Sequence, residues 1–312
     1  MKRILSIDGG GIRGLIPALI LAEIEQKTGK AISASFDLIA GTSTGAIIAL
    51  GISKDDGNSK PQYSARDLAE IYQSRGQEIF SRSLLKRVSS VGGLTDELYS
   101  HKGLDQVLDE YFGDAPIGLG LTKTLVTSYD IRERKPIFFK SWREEYRSVL
   151  MKHAARASSA APTYFEPVLI PIGGVDRALI DGGVFMNSPS VSAYAEAKKI
   201  FGDNEEFFLL SLGTGQVTDS ISFSEAKDWG KASWLSPLLS CMFDGVSDAA
   251  DYQMNMFLGD RYVRLQTDLE RASPDLDNAT KVNINNLKAE AKRMIRTHQT
   301  EIDLACRLIT AS

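Results

Sequence analysis

The chain has 312 residues, 43% of them hydrophobic and 24% charged, which is the make-up of a globular protein large enough to bury a substantial core. A net charge of −4 argues against a nucleic-acid-binding surface, which carries a basic excess. Two cysteines, Cys241 and Cys306, are too few for a disulfide framework and have no metal-like spacing, so both are expected to be free and buried.

Met1-Lys2-Arg3 runs straight into Ile4-Leu5-Ser6-Ile7-Asp8, which is too short an apolar run for a signal peptide and is already strand-like. No apolar run of about 18 residues occurs. A soluble, cytoplasmic protein is expected, with membrane contact that is only peripheral, at the inner membrane face. Next come Asp8-Gly9-Gly10-Gly11-Ile12-Arg13-Gly14 and an amphipathic helix over 15–26, ended by Gly29. In form, Gly9-x-Gly11-x-x-Gly14 matches the dinucleotide fingerprint and Gly9-x-x-x-x-Gly14 half of a P-loop. Both fail in detail, because Leu15 replaces the P-loop lysine and the second strand ends in no ribose-binding acid. What remains is a row of backbone N–H groups free of Cβ atoms at the end of the first strand, where an oxyanion hole belongs. The alternative is a tight, glycine-rich turn.

The second strand, 36–40, leads into Gly41-Thr42-Ser43-Thr44-Gly45, and 46–50 continue as an apolar helix. A serine between two glycines at a strand-to-helix junction has the context of a nucleophile elbow, which holds its hydroxyl exposed at a helix N-terminus. Ser43 is the candidate nucleophile. The alternative is an ordinary turn in which Ser43 or Thr42 caps the helix.

Residues 55–63 form a polar loop, and Ser64 caps a helix to about residue 80 whose Leu68, Ile71, Tyr72 and Ile79 have core spacing. Residues 81–101 mix Leu84, Leu85, Val88 and Val91 with Arg82, Lys86 and Arg87. They read as a packed connection with solvated charges, the alternative being contact with an anionic membrane. A helix over 102–112 and a loop at Gly118 and Gly120 precede strands at 124–129 and 136–139, with Arg132-Glu133-Arg134 turning between them. A small-residue helix at 149–161, halted by Pro162, permits close packing behind a site, and His153 on it is read as structural. The strand 177–180 then delivers Asp181-Gly182-Gly183, followed by Asn187-Ser188-Pro189 and a helix to about 201. An aspartate at a strand end is positioned as a site residue, unless it is only the acid of an Asp-Gly turn. A buried strand at 207–212 ends in Gly213-Thr214-Gly215. Beyond it lie a loop at 216–236, apolar stretches at 234–235 and 238–243, a helix at 245–258, a strand at 262–265, a polar loop and a helix at 285–309. No cluster with metal-ligand spacing appears, so neither metal nor cofactor is expected.

Three blocks in order, Asp8-Gly9-Gly10-Gly11-Ile12-Arg13-Gly14, Gly41-Thr42-Ser43-Thr44-Gly45 and Asp181-Gly182-Gly183, resemble the patatin-like phospholipases. Ser158-Ser159-Ala160-Ala161-Pro162 and Asn187-Ser188-Pro189 agree, and the resemblance covers roughly residues 3–215. It implies an α/β fold, a three-layer α/β/α sandwich with a mostly parallel central sheet and helices on both faces. The chain is then one domain over 1–312, with a catalytic core at about 3–215 and a helical extension at about 216–312. The implied activity is that of a serine acyl hydrolase, a phospholipase A acting on membrane glycerophospholipids. Ser43 corresponds to the family nucleophile, Asp181 to its base, and Gly9, Gly10, Gly11 and Arg13 to its oxyanion loop, with Gly14, Gly41, Gly45, Gly182 and Gly183 supporting the motifs. The chain also looks like bacterial antiviral effectors of this family that are switched on by cyclic nucleotides. That implies a cyclic nucleotide activator, and a homo-oligomer is carried as an open partner. Two rival readings are a Ser43–Asp181–His298 triad of α/β-hydrolase type, weakened because His298 lies in a helical pattern, and a non-enzymatic nucleotide or phosphate binder.

Overall fold

The computed structural model describes residues 1–79, 102–217 and 220–311. The connection read at 81–101, with His101, lies outside them. In chain order the elements are β1 (Lys2–Ile7), α1 (Leu15–Thr28), the short α2 (Ile32–Ser35), β2 (Leu38–Gly41), α3 (Thr44–Ser53), α4 (Ala65–Ile79) and α5 (Lys102–Phe112). The middle of the chain supplies β3 (Lys123–Asp130), β4 (Lys135–Lys140), the short α6 (Glu144–Arg147), α7 (Met151–Ser158), β5 (Val168–Ile172), β6 (Val175–Asp181) and α8 (Ser190–Phe201). It closes with β7 (Phe207–Leu212), the short α9 (Phe223–Ala226), α10 (Lys231–Leu258), β8 (Tyr262–Leu265), α11 (Lys281–Thr297) and α12 (Gln299–Thr310).

The strands form one sheet in the order β5-β6-β3-β2-β1-β7-β8, with β4 also paired to β3. From β3 to β8 the strands run parallel, and β4, β6 and β5 extend the sheet antiparallel. The expected α/β sandwich is therefore present, as a mixed sheet in which Ser43 follows a parallel strand, β2, and Asp181 ends an antiparallel one, β6. Side chains alternate between its faces. On β7, Phe208, Leu210 and Leu212 join the core under α1, α3, α4, α5 and α7, while Phe207 and Leu209 join Ala193, Ala197 and Met254 of α8 and α10. Burial on both faces is why β1 and β7 read as continuous apolar runs. Parallel strands β1 and β2 end side by side, with Ile7 opposite Gly41, so the glycine loop after β1 and the serine turn after β2 meet at one edge. Ligands of open α/β sheets bind at that carboxyl edge.

Several local expectations need correction. The loop expected to residue 236 gives way at Lys231 to one helix through Leu258, with Pro237 inside it. A proline removes one backbone bond, and buried Ala250 and Met254 anchor the rest of this helix. The final helix is two, broken at His298 (φ −108°, ψ 29°), where no glycine or proline marks the break. Strand β5 was not among the expected elements; it lies at the edge of the sheet, where its Pro171 is tolerated. Cys241 is exposed and Cys306 half-buried, against the expectation of burial, and neither is in a disulfide. His153 is exposed rather than part of the packed core. The strand expected at 262–265 is present as β8, which joins the sheet, while α11 and α12 pack on α1.

Candidate active site

Ser43 sits at the β2–α3 turn with φ 55° and ψ −122°, outside the regions a serine ordinarily occupies. The turn is closed so tightly that a Cβ on Gly41 would stand 2.2 Å from the Gly45 carbonyl oxygen, and one on Gly45 would stand 2.2 Å from that of Ile7. Only glycine fits on either side. Such a conformation costs on the order of 1–3 kcal/mol and persists where neighbours over-determine it. They do so here: the Ser43 N–H donates to Ser158 Oγ at 2.8 Å, and the Ser43 carbonyl accepts from Ala46 and Ile47 at 2.9 and 3.2 Å. Next to it, Thr42 Oγ1 donates to the Met186 carbonyl at 2.8 Å and lies 2.7 Å from Thr127 Oγ1. The serine turn is thereby tied both to β3 and to the segment after Asp181.

Asp181 ends β6 in register with Ser128 of β3, and its N–H donates to the Ala160 carbonyl at 3.0 Å. Its Oδ1 accepts the Gly183 N–H at 2.7 Å, capping a 3-10 turn, and the Ser43 hydroxyl lies close enough to the carboxylate to pull its pKa down. The side chain is 2% exposed. Burial pushes its pKa from 3.8 up to about 7, against the opposing pull of the Ser43 and Gly183 hydrogen bonds. A carboxyl with that basicity, set beside a serine hydroxyl, is equipped to take its proton near neutral pH.

The glycine loop lies against both residues. A Cβ on Gly9 would be 3.3 Å from Ser43 Cβ, and one on Gly14 would be 2.2 Å from Thr44 Oγ1. The members of the expected oxyanion loop do not act alike. Gly9 gives its N–H to the Asn187 carbonyl at 3.1 Å, and Arg13 gives its own to the Gly10 carbonyl at 3.1 Å, which its buried Nε also meets at 3.4 Å. Among the described residues, the N–H groups of Gly10 and Gly11 meet no protein acceptor, and neither does that of Thr44 at the start of α3. These three backbone donors stand unpaired beside Ser43. Beneath the loop, Arg264 of β8 reaches past β7 to Asp8, with Nη2 donating at 2.6 Å, and holds Ser211 Oγ at 2.9 Å with its other nitrogen.

His298 is not assembled with this pair. Its Nε2 lies 3.1 Å from the Gln266 carbonyl oxygen, in a polar cavity shared with Arg264, whereas Ser43 lines an apolar one. Ser159 also lines the Ser43 cavity, and its buried hydroxyl has no partner. The role of Ser158 as acceptor for the Ser43 N–H was hinted at only by its place in the matching Ser-Ser-Ala-Ala-Pro run. Nothing local in the sequence marked Arg264 or Thr127, because their partners lie far away along the chain. Among the described residues, no group of His, Cys, Asp or Glu could hold a metal ion.

An α/β sheet presenting a strained serine against a buried carboxylate, with spare backbone donors beside it, defines a class of proteins built around a nucleophile elbow. The chain belongs to the family described as patatin-like phospholipase, which matches residues 5–194. It is 28% identical over 348 residues to Patatin-like protein 2 of Oryza sativa subsp. indica, covering 97% of this chain and 86% of that one. To Patatin-like protein 1 of Arabidopsis thaliana it is 29% identical over 346 residues, covering 96% and 83%. Human GIVD cytosolic phospholipase A2 shares the fold, with a TM-score of 0.51 at 12% identity over 99% of this chain and 60% of that one. Family membership supports lipid acyl hydrolase activity. These two sequence relatives are plant proteins, and they give no sign of a bacterial origin or of nucleotide activation.

Proposed function

We propose that the chain is a phospholipase A that cleaves fatty acyl esters of membrane glycerophospholipids through a Ser43–Asp181 dyad. The observation that carries this reading is a buried carboxyl, Asp181, set beside the Ser43 hydroxyl, with its pKa raised to about 7 by burial. Ser43 Oγ attacks the ester carbonyl carbon while Asp181 takes the hydroxyl proton. The carbonyl oxygen of the tetrahedral intermediate turns to the N–H groups of Gly10 and Gly11, each donor of this kind being worth about 3 kcal/mol. Collapse expels the lysolipid alkoxide, which receives the proton from Asp181 and leaves an acyl-Ser43 ester. Water, deprotonated by Asp181, then releases the fatty acid and restores the serine.

The substrate is reached by peripheral contact, since among the described residues no helix is long and apolar enough to cross a membrane. Contact at the inner membrane face and switching by a cyclic nucleotide rest on the resemblance alone. Titrating a panel of cyclic oligonucleotides into the protein while following phospholipid turnover tests the switch, which fails if turnover is already maximal and none binds.

The dyad is tested with Ser43→Ala on phospholipid vesicles, following fatty acid release by mass spectrometry. Turnover falls on the order of a thousandfold or more with the circular dichroism spectrum unchanged. Substantial residual turnover in the folded variant would sink the assignment. A binder of nucleotides or phosphate would release no fatty acid even as the wild type.

A further inference from the structure

We propose that Ser159 is a further catalytic residue, whose hydroxyl donates a hydrogen bond to the ester carbonyl oxygen as that oxygen takes up negative charge. The proposal rests on the acyl hydrolase reading above and adds a side-chain donor to the backbone donors of the glycine loop.

Ser159 stands in a short segment that holds both the nucleophile and the base. On one side, Ser158 Oγ accepts the Ser43 N–H at 2.8 Å; on the other, the Ala160 carbonyl accepts the Asp181 N–H at 3.0 Å. Between these anchors Ser159 closes α7, with its own N–H donating to the Ala155 carbonyl at 3.0 Å. The backbone that carries the hydroxyl is therefore fixed on both sides, and it need not reorganise when charge develops.

The hydroxyl itself is left over. Ser159 is 7% exposed, and its Oγ is buried without a hydrogen-bond partner. Neighbouring hydroxyls are engaged, that of Ser158 by the Ser43 N–H and that of Thr44 by Tyr72 Oη. A buried hydroxyl that gives up water for no protein partner costs stability, and its persistence calls for an explanation. The surroundings supply one. Ser159 lines the same cavity as Ser43, together with Gly11 and Thr44, whose N–H groups meet no protein acceptor among the described residues. That cavity leaves only about 30 Å³ of free space, and its walls are mostly apolar, Ile47 and Phe165 among them. An atom that satisfies a hydroxyl and two N–H groups in so small a space is an acceptor that gains from several donors at once.

The reacting carbonyl oxygen is such an atom. When Ser43 Oγ bonds to the carbonyl carbon, the Ser43 proton passes to Asp181 and the π electron pair moves onto the oxygen. The oxygen then carries a full charge in a narrow, mostly apolar site, where each donor is worth more than in water. A hydroxyl proton rotates to suit its acceptor, so Ser159 can follow the oxygen as the carbon becomes tetrahedral.

Hydrolysis of p-nitrophenyl butyrate by wild type, Ser159→Ala and Ser159→Cys, set beside thermal melts, tests the assignment. Ser159→Ala lowers kcat by about a hundredfold and leaves KM within about twofold, because the bond is made in the transition state and not in the ground state. Inhibition by a butyl trifluoromethyl ketone, whose adduct with Ser43 carries the same oxyanion, weakens by a similar factor. The alanine variant melts at or above the wild type, since it loses a buried hydroxyl and no protein hydrogen bond. Removal of a structural serine would instead lower the melting temperature. Ser159→Cys is close in size but only a weak donor, so it repeats the loss in kcat and decides the matter if the alanine variant does not fold. An unchanged kcat, or a loss of kcat that comes with a lower melting temperature, overturns the assignment while leaving hydrolysis at Ser43 standing. If the wild type hydrolyses neither this ester nor phospholipid vesicles, the acyl hydrolase reading has failed, and the role of Ser159 with it.

Discussion

Asp181 can accept the Ser43 proton only as a carboxylate, and its burial puts the loss of that form near neutrality. The pH profile of kcat/KM should therefore fall on the acid side with an apparent pKa of about 7, rather than in the ordinary carboxylate range. The same shift has a consequence for stability. Because the folded value is raised above the unfolded one, folding binds a proton more tightly, so stability present below about pH 4 is lost as pH rises toward 7. The ceiling on that loss is roughly 4 kcal/mol. Asp181→Asn keeps the shape and removes the ionisation, so it should abolish turnover and melt above the wild type at pH 8, with the gap closing toward pH 4. Equal melting temperatures at both pH values would mean that the carboxyl is not forced to ionise in a buried setting. Ser43 and Asp181 were both legible in the sequence because each is marked by adjacent glycines. Ser159 was legible only as part of a matching run. Arg264 was not legible at all, since the aspartate it holds is at the other end of the chain.

At the scale of the element, the glycine loop after β1 divides by what each glycine faces. Gly11 has φ 56°, and a Cβ there would stand 2.2 Å from the Leu276 carbonyl oxygen; one on Gly10 would stand 2.2 Å from Thr214 Oγ1, which donates to the Gly9 carbonyl at 2.7 Å. Gly10→Ala or Gly11→Ala must move the loop, and with it the unpaired N–H groups that we propose hold the ester oxygen. The expected loss in kcat is on the order of a hundredfold. Gly29 supplies the control. It also has a positive φ, 65°, but nothing lies within 4 Å of its missing Cβ. Gly29→Ala at the end of α1 should cost about 1 kcal/mol of stability and leave kcat alone. If the Gly10 and Gly11 variants behave like Gly29→Ala, the loop is structural only. The strand, loop and helix around these glycines were readable because apolar runs and punctuation agreed. Ser64 likewise caps α4 as expected, and it exchanges hydrogen bonds with Asp67 there. Where local signals and packing disagreed, the sequence misled: Pro237 lies within a helix that its buried face holds together, and Pro171 lies in a strand that only an edge permits.

On the scale of the whole molecule, the C-terminal third supplies both a sheet strand and the long α10, which covers the site from the side of Asp181. Phe243 packs inward, with its ring 3.0 Å from where a Cβ on Gly183 would be. On the neighbouring stripe Trp234, Leu238 and Met242 are 36%, 48% and 38% exposed, and Phe223, just before the helix, is 83% exposed. Apolar side chains repeating every fourth position on the outside of a helix form a patch of the kind that enters the headgroup region of a bilayer. On the helix that meets Gly183 through Phe243, that patch would hold this side of the molecule against the lipid from which a phospholipase draws its substrate. The triple change Trp234→Ser, Leu238→Ser and Met242→Ser should lower binding to phospholipid vesicles in a flotation assay by about tenfold or more. Turnover of vesicle phospholipid should fall in parallel, while hydrolysis of a soluble acetate ester should continue at the wild-type rate, because none of the three side chains touches the dyad. Undiminished vesicle binding would place the membrane contact elsewhere on the surface. An equal loss on both substrates would show that the stripe holds α10 against Gly183 and acts on the site itself.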